Sequence, residues 1–202
     1  MADMDRTEHG SALLVTLLTA MLLAGLAGGL VIALMTEEAV EANHRRAVVA
    51  LYAADGMLTR AISELARLPD WQPVLDGTYV SSLRVGTATR RLADGSSVDL
   101  FVVTDTLQRE LDEARGAGAA RWRLHAWGWV GDLVIGSNQD RRLLVAAWVH
   151  GGVVRTTPSN DLEQQIVLRA LAFGPFGTRR EVEAVLGRYE EAVRVVAWDL
   201  DR

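Results

Sequence analysis

Polar and apolar residues alternate in three distinct ways along this chain, and each pattern predicts a different kind of element. From Ser11 to Met35 the chain runs 25 residues without a charge. As a helix this stretch would be roughly 37 Å long, against roughly 30 Å of bilayer hydrocarbon. Past Thr36-Glu37-Glu38 the polarity changes, yet no helix breaker intervenes before Pro69. Leu51, Ala54, Leu58, Ile62 and Leu65 recur at three- and four-residue steps, with Arg60, Glu64 and Arg67 between them. That spacing predicts an amphipathic helix with one apolar stripe. A single helix is therefore expected from about Ala12 to Leu68, with its end forced by Pro69.

From Asp70 onward, short apolar runs lie between turn signals. Tyr79 to Val85 and Val98 to Thr104 read as strands, and Asp94-Gly95 between them as a two-residue hairpin turn with positive φ at both positions. Asp105 to Arg115 reads as a short helix with Asp105 as its N-cap. Trp122 to Val130, Leu143 to His150, Gln165 to Phe173, Arg180 to Leu186 and Val193 to Leu200 read as further strands. Gly174-Pro175-Phe176-Gly177 is a tight connection between two of them. Consecutive strands with short links predict an antiparallel meander with one face to bury, and the stripe on the long helix is its natural cover. The expected fold class is α+β, a long N-terminal helix with a C-terminal antiparallel sheet. The expected segments are a leader over 1–10, a membrane-spanning half over 11–35, an amphipathic half over 36–68 and a globular domain over 69–202.

Composition narrows the picture. With 202 residues there is room for one soluble domain beyond leader and span. The net charge is −5, to which the first ten residues contribute −2 through Arg6 against Asp3, Asp5 and Glu8. An acidic chain gives no reason to expect a nucleic-acid partner. There is no cysteine, which excludes disulfides and thiolate metal sites. The apolar run is too long for a secretory signal and follows the candidate cleavage site instead of preceding it. Arg6 precedes the span and Arg45 and Arg46 follow it, so the charge rule taken alone favours a cytoplasmic domain.

Candidate chemistry is sparse. His9, His44, His125 and His150 are scattered, and no HExxH, GxSxG or P-loop pattern occurs. No cofactor or metal is implied. Asp94 to Asp99 lacks the alternating acidic positions of a calcium loop and reads as a plain hairpin. Arg121, Arg123, His125, Trp127 and Trp129 would alternate onto one strand face. That face is either a stacking platform for single-stranded nucleic acid or, in an acidic chain, arginines stacked on tryptophans. Phe176 and Trp198 are either exposed contacts or core residues, and core packing is the preferred reading. Gly25, Gly28 and Gly29 cluster in the span, which either loosens the helix and admits close neighbours or reflects the frequency of glycine in membrane helices. Glu37 and Glu38 at the end of the span are either a solvated face or a contact to another subunit.

A charged leader ending in Gly10, followed at once by an uncharged span that continues outward, resembles the class III signal of type IV pilins and pseudopilins. RTEHGSALLVTLL and TEEAVEANHRRAVVALYAADGMLTRAISEL resemble more specifically the N-terminal region of PilX-type minor pilins, over roughly residues 6–66. The resemblance implies cleavage between Gly10 and Ser11 by a prepilin peptidase, methylation of the new amine, and an inner-membrane subunit with a periplasmic domain. Its partners would be other minor pilins and the major pilin, engaged through the N-terminal helix, with priming or tip assembly of a filament as the role and no enzymatic activity. Major pilins carry glutamate at the fifth mature position, and this chain has Val15. A subunit without that carboxylate loses its pairing with a neighbour's amine, which favours a minor or tip subunit. The leader is acidic where such leaders are usually basic, and Ser11 replaces the commoner phenylalanine or methionine. The alternatives are a type II secretion tip pseudopilin and a single-span anchored periplasmic domain that never enters a filament.

Overall fold

The structure is a computed structural model and describes residues 5–118, 120–133, 143–152, 162–189 and 192–200. In chain order its elements are α1 (Asp5–Leu65), α2 (Gln72–Asp76), β1 (Thr89–Arg91), β2 (Ser97–Asp99), α3 (Leu100–Arg115), β3 (Arg123–Trp129), α4 (Val130–Leu133), β4 (Leu144–Gly151), β5 (Leu162–Phe173), β6 (Arg179–Tyr189) and β7 (Ala192–Leu200). The chain divides into two compact units, Met1–Arg45 and Arg46–Arg202, with the boundary inside α1.

In the first unit α1 is helical from Asp5, so the second half of the expected leader is helix rather than irregular chain. In the second unit α1 ends at Leu65, three residues earlier than expected. There the hydrogen bonds tighten, with Arg67 N–H donating to the Glu64 carbonyl and Leu68 N–H to the Leu65 carbonyl, both at 3.2 Å. Pro69 disfavours helical backbone at Leu68, and the helix unwinds ahead of it. The Trp71 indole, fully buried, donates to the Leu65 carbonyl at 2.9 Å and satisfies one of the exposed helix-end acceptors.

The five strands β3-β4-β5-β6-β7 form one antiparallel meander in sequence order, as the pattern implies. One of its faces packs on α1 through Ala50, Ala54, Met57, Leu58, Ala61 and Leu65. The expectation of a single buried face is corrected. α3 brings Leu100, Leu107 and Leu111 against Leu144, Ala146, Trp148, Val167 and Leu171 on the opposite face. β4 therefore alternates between two cores, with Val145, Ala147 and Val149 facing α1, and every residue from Leu144 to His150 is buried. A strand covered on both sides reads as a continuous apolar run, and LVAAWVH is one.

Two further strand assignments are corrected. Tyr79 to Val85 forms no strand; only an isolated bridge joins Arg84 to Trp127. Val98 to Thr104 is mostly helix, because Asp99 and not Asp105 is the N-cap of α3, accepting from Phe101 N–H at 2.9 Å and Val102 N–H at 3.4 Å. The hairpin at Asp94-Gly95 is present, with Arg91 opposite Ser97. Only Gly95 has positive φ, at 87°. The bonds Gly95 N–H to Leu92 O and Leu92 N–H to Ser96 O give a three-residue loop closed by a left-handed glycine, not the expected two-residue turn.

Candidate functional site

The residues singled out from the sequence fall mainly in the first unit. Gly10 and Ser11 lie within α1. Val15 is exposed, as is every described side chain from Ala12 to Met35. Gly25, Gly28 and Gly29 have nothing within 4 Å of where a Cβ would stand. Glu37 and Glu38 are exposed on the same helix. The polar side chains of this stretch satisfy themselves: Thr16 Oγ1 donates to the Leu13 carbonyl at 2.8 Å, Thr19 to Val15 at 2.8 Å and Thr36 to Ile32 at 2.9 Å. With the Thr16, Thr19 and Thr36 hydroxyls folded back on the helix, no side-chain donor among the described residues of 12–36 is left for hydrocarbon to strand. The stretch is long and apolar enough to cross a membrane.

The second unit holds a polar centre that the sequence pattern missed. Glu64, placed by periodicity on the polar side of α1, is buried. Its Oε2 accepts from Ser81 Oγ at 2.5 Å and stands 3.0 Å from His125 Nε2. Its Oε1 accepts from Ser82 N–H at 2.8 Å, Ser82 Oγ at 3.0 Å and Tyr79 Oη at 3.2 Å. Burial alone would push this carboxyl up; the bonds from His125, Ser81 and Ser82 outweigh it and hold the group well below the usual carboxylate range. The same bonds explain why Tyr79 to Val85 is not a strand, since Glu64 takes the Ser82 N–H that a sheet ladder would need. No signal in the sequence marks this centre, because the partners of Glu64 lie 15 to 61 positions from it in the chain.

The centre is a strut, not a reacting group. All the strong acceptor directions of Glu64 are occupied, and the Ser81 hydroxyl donates to a carboxylate instead of facing an imidazole base. Among the described residues no group of three or more His, Asp and Glu is placed to hold a metal ion. Asp94 and Asp99 are engaged as turn and helix caps: Asp94 accepts from Ser96 and from Phe176 N–H.

The expected common face for Arg121 to Trp129 does not form. A bulge between Leu124 and Ala126 shifts the register, so His125 faces α1 while Trp127 and Trp129 pack with the α3 core. Arginines do stack on tryptophans, but one by one: Arg84 on Trp127, Arg90 on Trp129 and Arg169 on Trp122, at 5.1, 5.8 and 5.3 Å. Phe176 and Trp198, assigned to the core from sequence, are exposed instead, at 73 % and 41 %. Phe176 lies under the Arg46 guanidinium at 5.1 Å.

An open pocket of about 550 Å³ lies beside α3, lined by Arg115, Trp122, His150, Arg169 and Glu183 among others. Arg169 is paired with Glu183 at 2.7 Å and with Glu110 at 3.3 Å. Burial pushes the His150 imidazole below its ordinary value; its bond to the Gly151 carbonyl opposes that shift, and Arg115 adds to it.

No family model, no curated protein and no solved structure matches this chain. Its functional reading therefore rests on its own residues.

Proposed function

We propose that the chain is a minor-pilin- or pseudopilin-like subunit that works by assembly, in the priming or tip complex of a type IV pilus-like filament. The observation that supports this reading is the uncharged Ser11–Met35 stretch, exposed from Ala12 on, entered directly from Gly10 and carried by the same helix that supplies Ala50 to Leu65 to the sheet domain. An ordinary anchor needs no such continuity. In a filament, the span would exchange contacts with lipid for van der Waals contacts with neighbouring helices. Val15 offers that environment no carboxylate to neutralise, which suits a position at or near the tip.

In this reading a prepilin peptidase cuts between Gly10 and Ser11 and methylates the new amine. The subunit starts in the inner membrane with its domain in the periplasm, then joins other minor pilins and the major pilin. Intact-mass measurement with and without the peptidase tests it. The expected result is loss of Met1 to Gly10 and gain of one methyl group only when the peptidase is present; a full-length mass in both cases overturns it.

A second reading, a single-span anchored periplasmic domain outside any filament, is favoured by the leader, which is acidic where prepilin leaders are usually basic. It expects no cleavage, and a protein that stays with the inner membrane when filaments are sheared off. A type II secretion tip pseudopilin shares the cleavage and differs in which filament retains the subunit.

A further inference from the structure

The two edges of the sheet are treated differently. At β3 the segment before β1 covers the edge: Val85 N–H donates to the Trp127 carbonyl at 2.8 Å, and Arg84 donates to the His125 and Leu124 carbonyls at 2.8 and 3.0 Å. At β7, among the described residues, no backbone hydrogen bond arrives from outside the β6–β7 ladder. β7 is nine residues long, and Val195, Val196, Trp198 and Leu200 are between 41 % and 55 % exposed. It contains no proline or lysine, two common devices that blunt an open edge.

The faces of β7 follow from its partners on β6. Val195, Trp198 and Leu200 stand opposite Leu186, Ala184 and Val182, which all belong to the α1 core, and Val193 packs against that same core. Arg194, Ala197 and Asp199 stand opposite Gly187, Val185 and Glu183. Val185 packs with the α3 core, so these three residues point to the other side. The register shift at Val185/Leu186 leaves Val196 as the extra residue of a bulge, which changes the parity of the strand midway.

We propose that β7 pairs antiparallel with β7 of a second copy of this chain, in the register that sets Arg194 opposite Asp199. In that register Val195 meets Trp198 and Val193 meets Leu200. Residues directly opposite in an antiparallel pair point to the same face, and because of the bulge these three pairs all satisfy that requirement. Sliding the register by one residue sets apolar side chains of one face opposite residues of the other. The two-fold axis falls between Val196 and Ala197, so the two bulges meet at the axis. Each charge pair occurs twice, once on either side of it.

The charges fit the arrangement. Asp199 stands across the β6–β7 ladder from Glu183, which Arg169 already pairs at 2.7 Å. Arg194, whose guanidinium lies 5.6 Å from the Tyr189 ring of its own copy, comes opposite Asp199 of the second copy. Pairing would join two five-stranded sheets into one of ten strands, and would cover the two apolar stripes with each other.

The chain has no cysteine, so introduced cysteines report cleanly. The test uses the full-length chain in detergent and in membranes, with Val195→Cys and Trp198→Cys carried on separate copies. Opposed residues have Cβ atoms about 4.5–5.5 Å apart, close to disulfide range. In this register two copies of Val195, or two of Trp198, are offset by about three residues, near 10 Å. The expected result is at least about tenfold more disulfide-linked dimer from the mixture than from either variant alone, because disulfides form only over short, fixed distances. Equal cross-linking in all three samples, or none in the mixture, overturns the proposal.

Arg194→Asp in both copies is expected to reduce that cross-link by about tenfold, since like charges then face each other across the strands. Adding Asp199→Arg to both copies is expected to restore it. A double variant that keeps its β-sheet circular dichroism and is not restored also overturns the proposal. These readouts do not depend on cleavage after Gly10, so they succeed or fail separately from the filament reading.

Discussion

Glu64 on α1 and His125 on β3 meet at 3.0 Å, although 61 positions separate them in the chain. The contact ties the helix to the first strand of the sheet, and Ser81, Ser82 and Tyr79 tie the intervening segment to the same carboxylate. A buried charge with this many donors is costly to break from one side, because the donors are then left unsatisfied.

Glu64→Ala should accordingly destabilise the second unit by about 3 kcal/mol or more, read as a lowered urea midpoint of the purified chain in detergent. The carboxyl is held below its ordinary value of 4.5. A group with a depressed folded pKa stabilises fully above its unfolded value, and that stabilisation is lost as pH falls below it. The urea midpoint should therefore drop between pH 4.5 and more acid conditions. Glu64→Gln should show a shallower drop, with Asp70 and Asp94, also lowered by their hydrogen bonds, accounting for part of the remainder. An unchanged slope in Glu64→Gln would count against the strut.

His150 gives a separate limb at higher pH. Burial lowers its pKa from 6.5, so the unfolded chain takes up this proton before the folded one does. Stability should fall as pH drops below 6.5 and continue to fall until the folded imidazole also protonates. His150→Leu should flatten the upper part of that limb while leaving the part due to Glu64 in place.

The position of the α3 cap can be tested with two substitutions. Asp99→Ala removes the acceptor for the Phe101 and Val102 N–H groups and should cost about 1 kcal/mol. Asp105→Ala, inside the helix and exposed, should stay within about 0.5 kcal/mol of the parent. The opposite order would restore the sequence-based boundary.

The second core predicts a contrast within one helix. Leu107→Ala should cost about 2–5 kcal/mol, as for other fully buried leucines. Phe101→Ala, on the same helix but 62 % exposed, should cost little. Trp148→Phe should also destabilise, because the indole donates to Thr104 Oγ1 at 2.7 Å and the smaller ring leaves a void.

Gly25, Gly28 and Gly29 have open space around them. Replacing all three with alanine stiffens the helix by up to about 1 kcal/mol per site and disturbs no contact within the chain. The urea midpoint of the second unit and the cleavage efficiency should stay unchanged, so that any defect appears only in filament incorporation, measured by sheared-filament yield. A loss of domain stability would instead show that the glycines act within the subunit.

The long helix, its apolar first half and the five-strand meander were all legible in the sequence. Each is set by local periodicity: an uncharged run, a three-to-four spacing, and short runs between turn residues. The stripe was placed correctly at Ala54, Leu58 and Leu65, while Leu51 and Ile62 are only half-buried. What tertiary structure decided is where two periodic patterns compete, or where a contact crosses many residues. The β-branched run Val98 to Thr104 suits a strand, yet Asp99 caps it into a helix whose apolar side then finds the second face of the sheet. One bulge at Leu124/Ala126 sends His125 to Glu64 and the tryptophans to the other side. Another at Val196 turns Trp198 to the α1 side of the sheet, where it stays 41 % exposed because β7 is the last strand. Periodicity counts residues and cannot register the one extra residue of a bulge, and it assigns a lone charge such as Glu64 to water because its four partner residues lie elsewhere in the chain.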